Sequence, residues 1–532
     1  MQQADFYHLL QSAFVVFPCF FLFGYNQVVV GALVSFDAFT DLFPQLDTVH
    51  ANGSLKSYRS VIQGVYVSSF TLGCAAGSVF CSFVGDRLGR RKTIVVGSIL
   101  TLLGGALSCS SSQLPQLFTG RVITGMGVGI FSTMVPVWQS ECSPATNSGR
   151  RVVIDGIFIL SGYAVSYWIN FGFSRIQKHD VAWRVPLAIP GVFSIVLGTA
   201  IFFFPESPRW LVATGRIDEA TAELARLRRV QGDAGLDEIT REFTAIGVSL
   251  ETTESKASSF RDILTMKDGK LLYRCMLCVG LQFWCQMTGA QVITTYSTTI
   301  FQQNLNLSDG ITRILAASAL TWKFLASFVS LFTIDLFGRR KLFLICGVGI
   351  TLCMTCIAIT ASFGSNNRGA SMASTFFVFL FNSFFPVGFL GPSSLYCTEV
   401  SSSRVLVPMT SISTANHWLW YGSALVADIT LPANYSSYRS FLVQMVTPFA
   451  LSSIGYRYCL VYAVIGLKYV VCVYIFYPET IGQSLKKLED LFQQDLSIRQ
   501  TVSVANKLAG LHPDEEAAEE NVKGEAEVVE KA

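Results

Sequence analysis

The chain has 532 residues, of which 51% are hydrophobic and only 14% charged, whereas a soluble domain carries about 25% charged residues. That deficit over such a length excludes a soluble globular domain and points to a membrane protein with many spans. The net charge of +3 gives no case for nucleic acid as a partner, because the Lys and Arg residues sit in short clusters between apolar runs rather than along one face.

A helix crosses the bilayer with about 20 mainly apolar residues. On that rule spans fall near residues 11–34, 61–84, 93–112, 115–138, 152–173, 185–204, 274–300, 311–334, 341–362, 372–396, 405–425 and 458–477. The spacing predicts a six-helix bundle over 1–204, a polar cytoplasmic linker with short helices over 205–272, a second six-helix bundle over 273–494, and an acidic, disordered cytoplasmic tail over 495–532. Inside the linker, residues 218–229 run from acidic to basic, which suits the dipole of a short surface helix. The apolar run from Phe14 is followed by no small-residue cleavage site, so no removable leader is expected. The 14 Cys lie scattered in apolar segments without metal-ligand spacing and read as buried thiols. Neither a metal nor an organic cofactor is expected.

Two charged turns interrupt the apolar pattern. Gly85-Asp86-Arg87-Leu88-Gly89-Arg90-Arg91-Lys92 separates spans two and three, and a near-copy, Ile334-Asp335-Leu336-Phe337-Gly338-Arg339-Arg340-Lys341, separates spans eight and nine. One such turn per half implies a duplicated unit. Arg150 and Arg151 fall in a loop of the same parity, so the basic loops place this side, and both termini, in the cytoplasm. The sequons at Asn52, Asn306 and Asn434 all fall in loops of the opposite parity, the side where glycosylation occurs.

These turns resemble the loop signature of the major facilitator superfamily. Pro205-Glu206-Ser207-Pro208-Arg209-Trp210-Leu211 after span six and Pro478-Glu479-Thr480-Ile481-Gly482 after span twelve are similar to marks of its sugar porters, as are Gly120-Arg121 and Pro136 to Glu141 in span four. The resemblance covers about residues 10–495. It implies an all-α membrane protein of twelve transmembrane helices in two pseudo-symmetric six-helix bundles. It also implies transport by alternating access around a midplane site, with contacts of the charged turns holding the cytoplasmic side shut. Asp86, Arg87, Arg90, Arg91, Glu141, Arg150, Glu206, Arg209, Asp335, Arg339, Arg340, Glu399, Arg404 and Glu479 would form that gate, with Asp86 and Asp335 meeting arginines and helix ends. The family's arginine seven residues after the acid that ends span four is Ser148 here, and its counterpart after Glu399 is Leu406. Arg150 or Arg404 would have to substitute.

The pocket departs further. Span seven reads Gln282-Phe283-Trp284-Cys285-Gln286-Met287-Thr288-Gly289-Ala290-Gln291 and resembles the family's sugar-binding segment with some amides changed. The span-five Gln falls on Gly156, beside Asp155; the span-eight Asn falls on Lys323; the span-ten Trp falls on Ser394; the span-eleven Asn falls on His417, before Trp418. Sugars take neutral amides and an aromatic face. Gln282, Gln286, Gln291, Lys323, Asp155, His417 and Trp418 are therefore the expected substrate-binding residues, with Lys323 and Asp155 able to pair across the cavity. An ionisable residue in a span is a functional candidate because burying it unpaired costs several kcal/mol. Where proton-coupled relatives place Asp in span one, this chain has Asn26, which cannot titrate. The carrier is then a uniporter, or Asp155 has taken over proton coupling.

Residues 421–439 interrupt the family pattern in span eleven and read either as a retained intron or as an outer-loop insertion. The expected function is transport of a small polyhydroxylated solute, by uniport or proton symport, in the plasma membrane. A transporter-like sugar sensor is one alternative, and a carrier of an anionic, sugar-acid or quinate-like solute is another. No enzyme motif and no phosphate-binding loop of an ATP-driven pump is present. The sequence indicates no oligomeric state.

Overall fold

The structure is a computed structural model that describes residues 9–48, 51, 53–142, 148–176, 178–228, 270–295, 297–298, 301, 309–363, 367–401, 406–422, 457–481, 483, 485–494 and 496–509. Among these residues there is no strand. The first half contains span one (Leu9–Leu33), span two (Gly53–Leu88), span three (Arg90–Cys109), span four (Leu114–Cys142), span five (Ser148–Phe173) and span six (Val181–Ala200). The second half contains span seven (Leu271–Met287, then Ala290–Thr295), span eight (Asp309–Ser327, then Ser330–Phe337), span nine (Arg339–Ser362), span ten (Arg368–Phe385, continuing to Val400), span eleven (Leu406–Gly422) and span twelve (Arg457–Phe476). Every apolar segment expected to cross the bilayer thus contains a helix. The fold is the all-helical, two-bundle architecture expected from the sequence.

Three spans are not continuous rods. Gly289, at φ 79°, stops span seven and restarts it at Ala290. Span eight bends by 45° between Ser327 and Ser330. Span ten loosens into a π-turn over Pro386–Leu390, because Pro386 supplies no N–H to the helix ladder.

Lipid gives helices no hydrophobic reason to associate, so close backbone packing has to hold them. Spans two and four achieve this through Gly73, Gly77, Gly125 and Gly129. A methyl group built on any one of them would stand 2.1 Å from a carbonyl oxygen of the facing span. The outer surface carries exposed Phe83, Phe203, Phe332, Leu336 and Tyr474, as a lipid-facing surface should. Across the two halves, span two lies along span eleven and span five along span eight.

The linker helix expected over 218–229 is present as Ile217–Arg228, preceded by Pro208–Ala213. The tail differs from expectation. It begins not as coil but as the helix Ile498–Leu508, capped by Ser497 and Gln500 in a capping box. This segment precedes the acidic run and is amphipathic: Thr501, Val502 and Ala505 are buried, and the Lys270 ammonium donates to the Leu496 carbonyl at 2.8 Å. Asn52, Asn306, Asn434, Arg404 and residues 423–456, which contain most of the interruption at 421–439, lie outside the described residues.

Gly125→Val should abolish the monodisperse peak of a fluorescent fusion in detergent size-exclusion chromatography, because its Cβ collides with the Phe70 carbonyl. Gly172→Val, with nothing within 4 Å, should leave it intact. Equal behaviour of the two variants would contradict this packing.

Candidate functional site

The two charged turns close in the same way. Gly89 (φ 87°) stands before the helix that starts at Arg90, and Gly338 (φ 81°) before the one that starts at Arg339. A backbone of that kind suits only glycine. The first N–H groups of a helix lack intrahelical partners and carry partial positive charge. Glu206, from the end of span six, accepts from the N–H groups of Arg90 at 3.2 Å and Arg91 at 3.3 Å. Glu479, from the end of span twelve, accepts from those of Arg339 at 2.9 Å and Arg340 at 3.1 Å. Burial raises the Glu206 carboxyl above its usual range, against the pull of N–H donors from Ser207 and Arg91.

The arginine side chains complete each turn. Arg90 pairs with Glu141 at the end of span four, Nε at 2.9 Å and Nη2 at 3.1 Å. Arg339 Nη2 reaches Glu399 at the end of span ten at 2.8 Å, and the Thr480 hydroxyl donates to the other Glu399 oxygen at 2.6 Å. Arg91 and Arg340 turn outward. Each donates to a carbonyl at 2.8 Å, that of Phe202 and that of Tyr474, and lies over the same residue's ring. Glu479 thus holds this helix start, while Asp335 is exposed on the preceding helix. Glu141 and Glu399 are paired by Arg90 and Arg339; Arg150 and Arg404, expected to substitute for the missing arginines, have no described side chains. Arg87 is exposed, and Arg209 is half-buried with no ion pair among the described residues. Asp86 and Arg150 lie on described helices, but their side chains are outside the described set.

Between the halves, amides and aromatic rings gather. His417 Nδ1 donates to Gln282 Oε1 at 2.8 Å, and Gln286 Nε2 donates to His417 Nε2 at 2.8 Å. The indole of Trp418 crosses to the first half, donating to the Ser132 hydroxyl at 3.2 Å and packing edge-on against Phe23 at 4.8 Å. Gln291 shares a hydrogen bond with Tyr163, which also bonds Gln27. Lys323 Nζ donates to Thr294 Oγ1 at 2.7 Å and stands over the rings of Phe385 at 4.5 Å and Tyr163 at 5.5 Å. Of the seven expected residues, Gln291, Lys323 and Trp418 thus touch the first half, while Gln282, Gln286 and His417 form one hydrogen-bonded cluster on spans seven and eleven, with His417 against Trp418.

Asp155 does not join them. Its carboxylate takes a hydrogen bond from Gln139 and faces the charge of Arg151. Tyr163, beside Lys323, lies eight residues farther along the same helix, about 12 Å away at 1.5 Å per residue. The expected Asp155–Lys323 pair is not formed. Asp155 sits near the end of span five, where Val153 packs within 3.1 Å of the Cβ position of Gly391 on span ten. Asn26 donates its amide to the Leu22 carbonyl of its own helix at 3.0 Å.

Sequence reasoning passed over Gln27, Tyr163, Thr294 and Asn382. The first is adjacent to Asn26, so its polar pair in an apolar span was a visible signal. The other three had none beyond being polar, because their role depends on which helices face each other.

Residues 12–492 match the family model described as sugar (and other) transporter. The sugar transporter STL1 of Saccharomyces cerevisiae is 31% identical over 479 residues, covering 89% of this chain and 79% of that protein. The major facilitator superfamily transporter mfsA of Aspergillus fumigatus is 30% identical over 490 residues, covering 91% and 86%. Among solved structures, a partially occluded inward-open conformation of the xylose transporter XylE from E. coli superposes with a TM-score of 0.69 at 20% identity, covering 88% of this chain and 98% of that one. That likeness is one of fold.

Arg90→Ala leaves Glu141 buried without its guanidinium and should cost about 3–5 kcal/mol, read as a lower thermal midpoint in detergent. Arg90→Met with Glu141→Leu should recover much of the loss. A double variant no better than Arg90→Ala would contradict a buried pair.

Proposed function

Since this chain belongs to the sugar transporter family of the major facilitator superfamily, we propose that it carries a small polyhydroxylated solute across the plasma membrane by alternating access. The observation that carries this reading is the Gln282–His417–Gln286 cluster with Trp418 beside it, at the interface of the two bundles. Amides both donate and accept, which suits hydroxyl groups, and a ring face suits the apolar side of a sugar. Buried polar groups inside a bilayer are costly unless they serve a passenger or each other.

Alternating access needs two rigid halves and contacts that break at one end at a time. At one end Arg313 donates to the Ser35 hydroxyl at 3.1 Å, and Tyr167 donates to the Thr294 and Thr295 carbonyls at 2.8 and 3.1 Å. At the other end Gly391 packs on Val153 and Gly156 on Leu390. We assign the first end to the outside and the second, with the charged turns and both termini, to the cytoplasm. The turns tie spans three, four and six together, and nine, ten and twelve, so each half moves as a body. The passage is through the interface cluster.

Asn26 cannot exchange a proton at physiological pH. Asp155 stands at the cytoplasmic closing contact with its Oδ1 unpartnered among the described residues, which supports it as the proton-coupling group.

Uptake of a radiolabelled panel of sugars and polyols into cells lacking their own carriers should be saturable, and a protonophore should abolish it. Asp155→Asn should leave residual uptake insensitive to the protonophore. Wild-type uptake already insensitive would make the carrier a uniporter and Asp155 structural. Binding without uptake would make the protein a sensor.

A further inference from the structure

Span eight places Lys323 inside the bundle, fully buried. An ammonium has three donors, and the Thr294 hydroxyl takes one. The Phe385 and Tyr163 rings offer their faces, a contact that does not offset the cost of an unpaired buried charge. No carboxylate pairs with Lys323 among the described residues, since Asp155 is engaged elsewhere on its helix.

Other polar atoms around it are also short of partners. Asn382 is fully buried with neither its amide nitrogen nor its oxygen hydrogen-bonded. It lies one helical turn before Phe385, so its side chain occupies the same face as the ring beneath the ammonium. Gln291 lies one turn before Thr294, and its Oε1 has no partner. Arg121 on span four is a second buried cation without a carboxylate among the described residues, its Nη2 on the Asn26 carbonyl at 3.1 Å and its plane over Phe70 at 4.6 Å. Lys323 thus stands with the orphaned polar atoms of Asn382 and Gln291 beside its own partners, while Arg121 belongs to a separate contact of spans one, two and four.

We propose that this cluster is an acid subsite, and that the solute is a hydroxylated monocarboxylate of the aldonic-acid kind. Lys323, positioned by Thr294, holds the carboxylate, while Asn382 and Gln291 take neighbouring hydroxyls. One lysine matches one negative charge; a phosphate ester would remain undercompensated. Gln286 precedes Gln291 on the other side of the break at Gly289, and the amide–histidine cluster it joins offers donors and acceptors for the far hydroxyls. The proposal rests on the carrier reading above and specifies its substrate.

The test compares uptake of radiolabelled gluconate with that of its neutral counterpart glucitol, in wild type, Lys323→Asn and Asn382→Ala, each quantified at the membrane as a fluorescent fusion. Wild type should favour gluconate. Lys323→Asn should lower the gluconate-to-glucitol ratio at least tenfold, and Asn382→Ala should weaken the apparent affinity for gluconate several-fold. Wild-type uptake of glucitol with no transport of, or inhibition by, gluconate would overturn the subsite while leaving the carrier intact. An unchanged ratio in Lys323→Asn would do the same. If neither compound enters, the carrier reading fails, and thermal shift of the purified protein decides the subsite. A shift with gluconate, lost in Lys323→Asn and absent with glucitol or chloride, upholds it. An equal shift in the variant or with chloride, or no shift, overturns it.

Discussion

A helix start bound by a carboxylate from a distant span, formed twice, is the interaction on which this structure depends. Glu206 takes the N–H groups of Arg90 and Arg91, and Glu479 those of Arg339 and Arg340. Each contact satisfies donors that a helix cannot satisfy for itself, at the point where the dipole favours an anion. Gly89 and Gly338 permit it by adopting a backbone that other residues avoid. Once the helix end is held, its first arginine is aimed at Glu141 or Glu399, and a third span is drawn in. Charges that would be costly near the bilayer are spent on one another.

The consequence for function lies in what remains. Within each half, backbone close approach and these turns hold the helices together. Among the described residues, Asn382, Gln291 Oε1 and Lys323, which bonds a threonine hydroxyl, are left short of partners on spans ten, seven and eight. A surface that separates and re-forms during a transport cycle cannot satisfy its polar groups permanently, and a passing solute with hydroxyl groups completes them. Asp155 stands apart, bonded by Gln139 two residues from the Val153–Gly391 contact rather than beside Lys323.

Much of this was legible in the chain. Span positions follow from apolar length, the duplication from the repeated Gly–Arg–Arg–Lys turn, and the amide cluster from Gln282, Gln286 and His417. What spacing could not supply was pairing across distance. Glu206 lies 116 residues from Arg90 and Glu479 lies 140 from Arg339, too far apart in sequence for spacing to join them. The Asp155–Lys323 pair was expected on charge alone and is prevented by the offset of the two residues along span five. The helix at Ile498–Leu508 was hidden by the acidic composition of the residues that follow it.

The claim that two rigid halves move about a shared polar interface is tested most directly by distances between spin labels in lipid nanodiscs, with and without a transported solute. Leu42, Val181 and Ile311 are exposed at the same end of the bundle. The account predicts that solute shifts the Leu42–Ile311 distance, which spans the two halves, by several ångström, while Leu42–Val181, within the first half, stays fixed. A Leu42–Val181 distance that moves as far, or a Leu42–Ile311 distance unmoved by a solute that is transported, would contradict it.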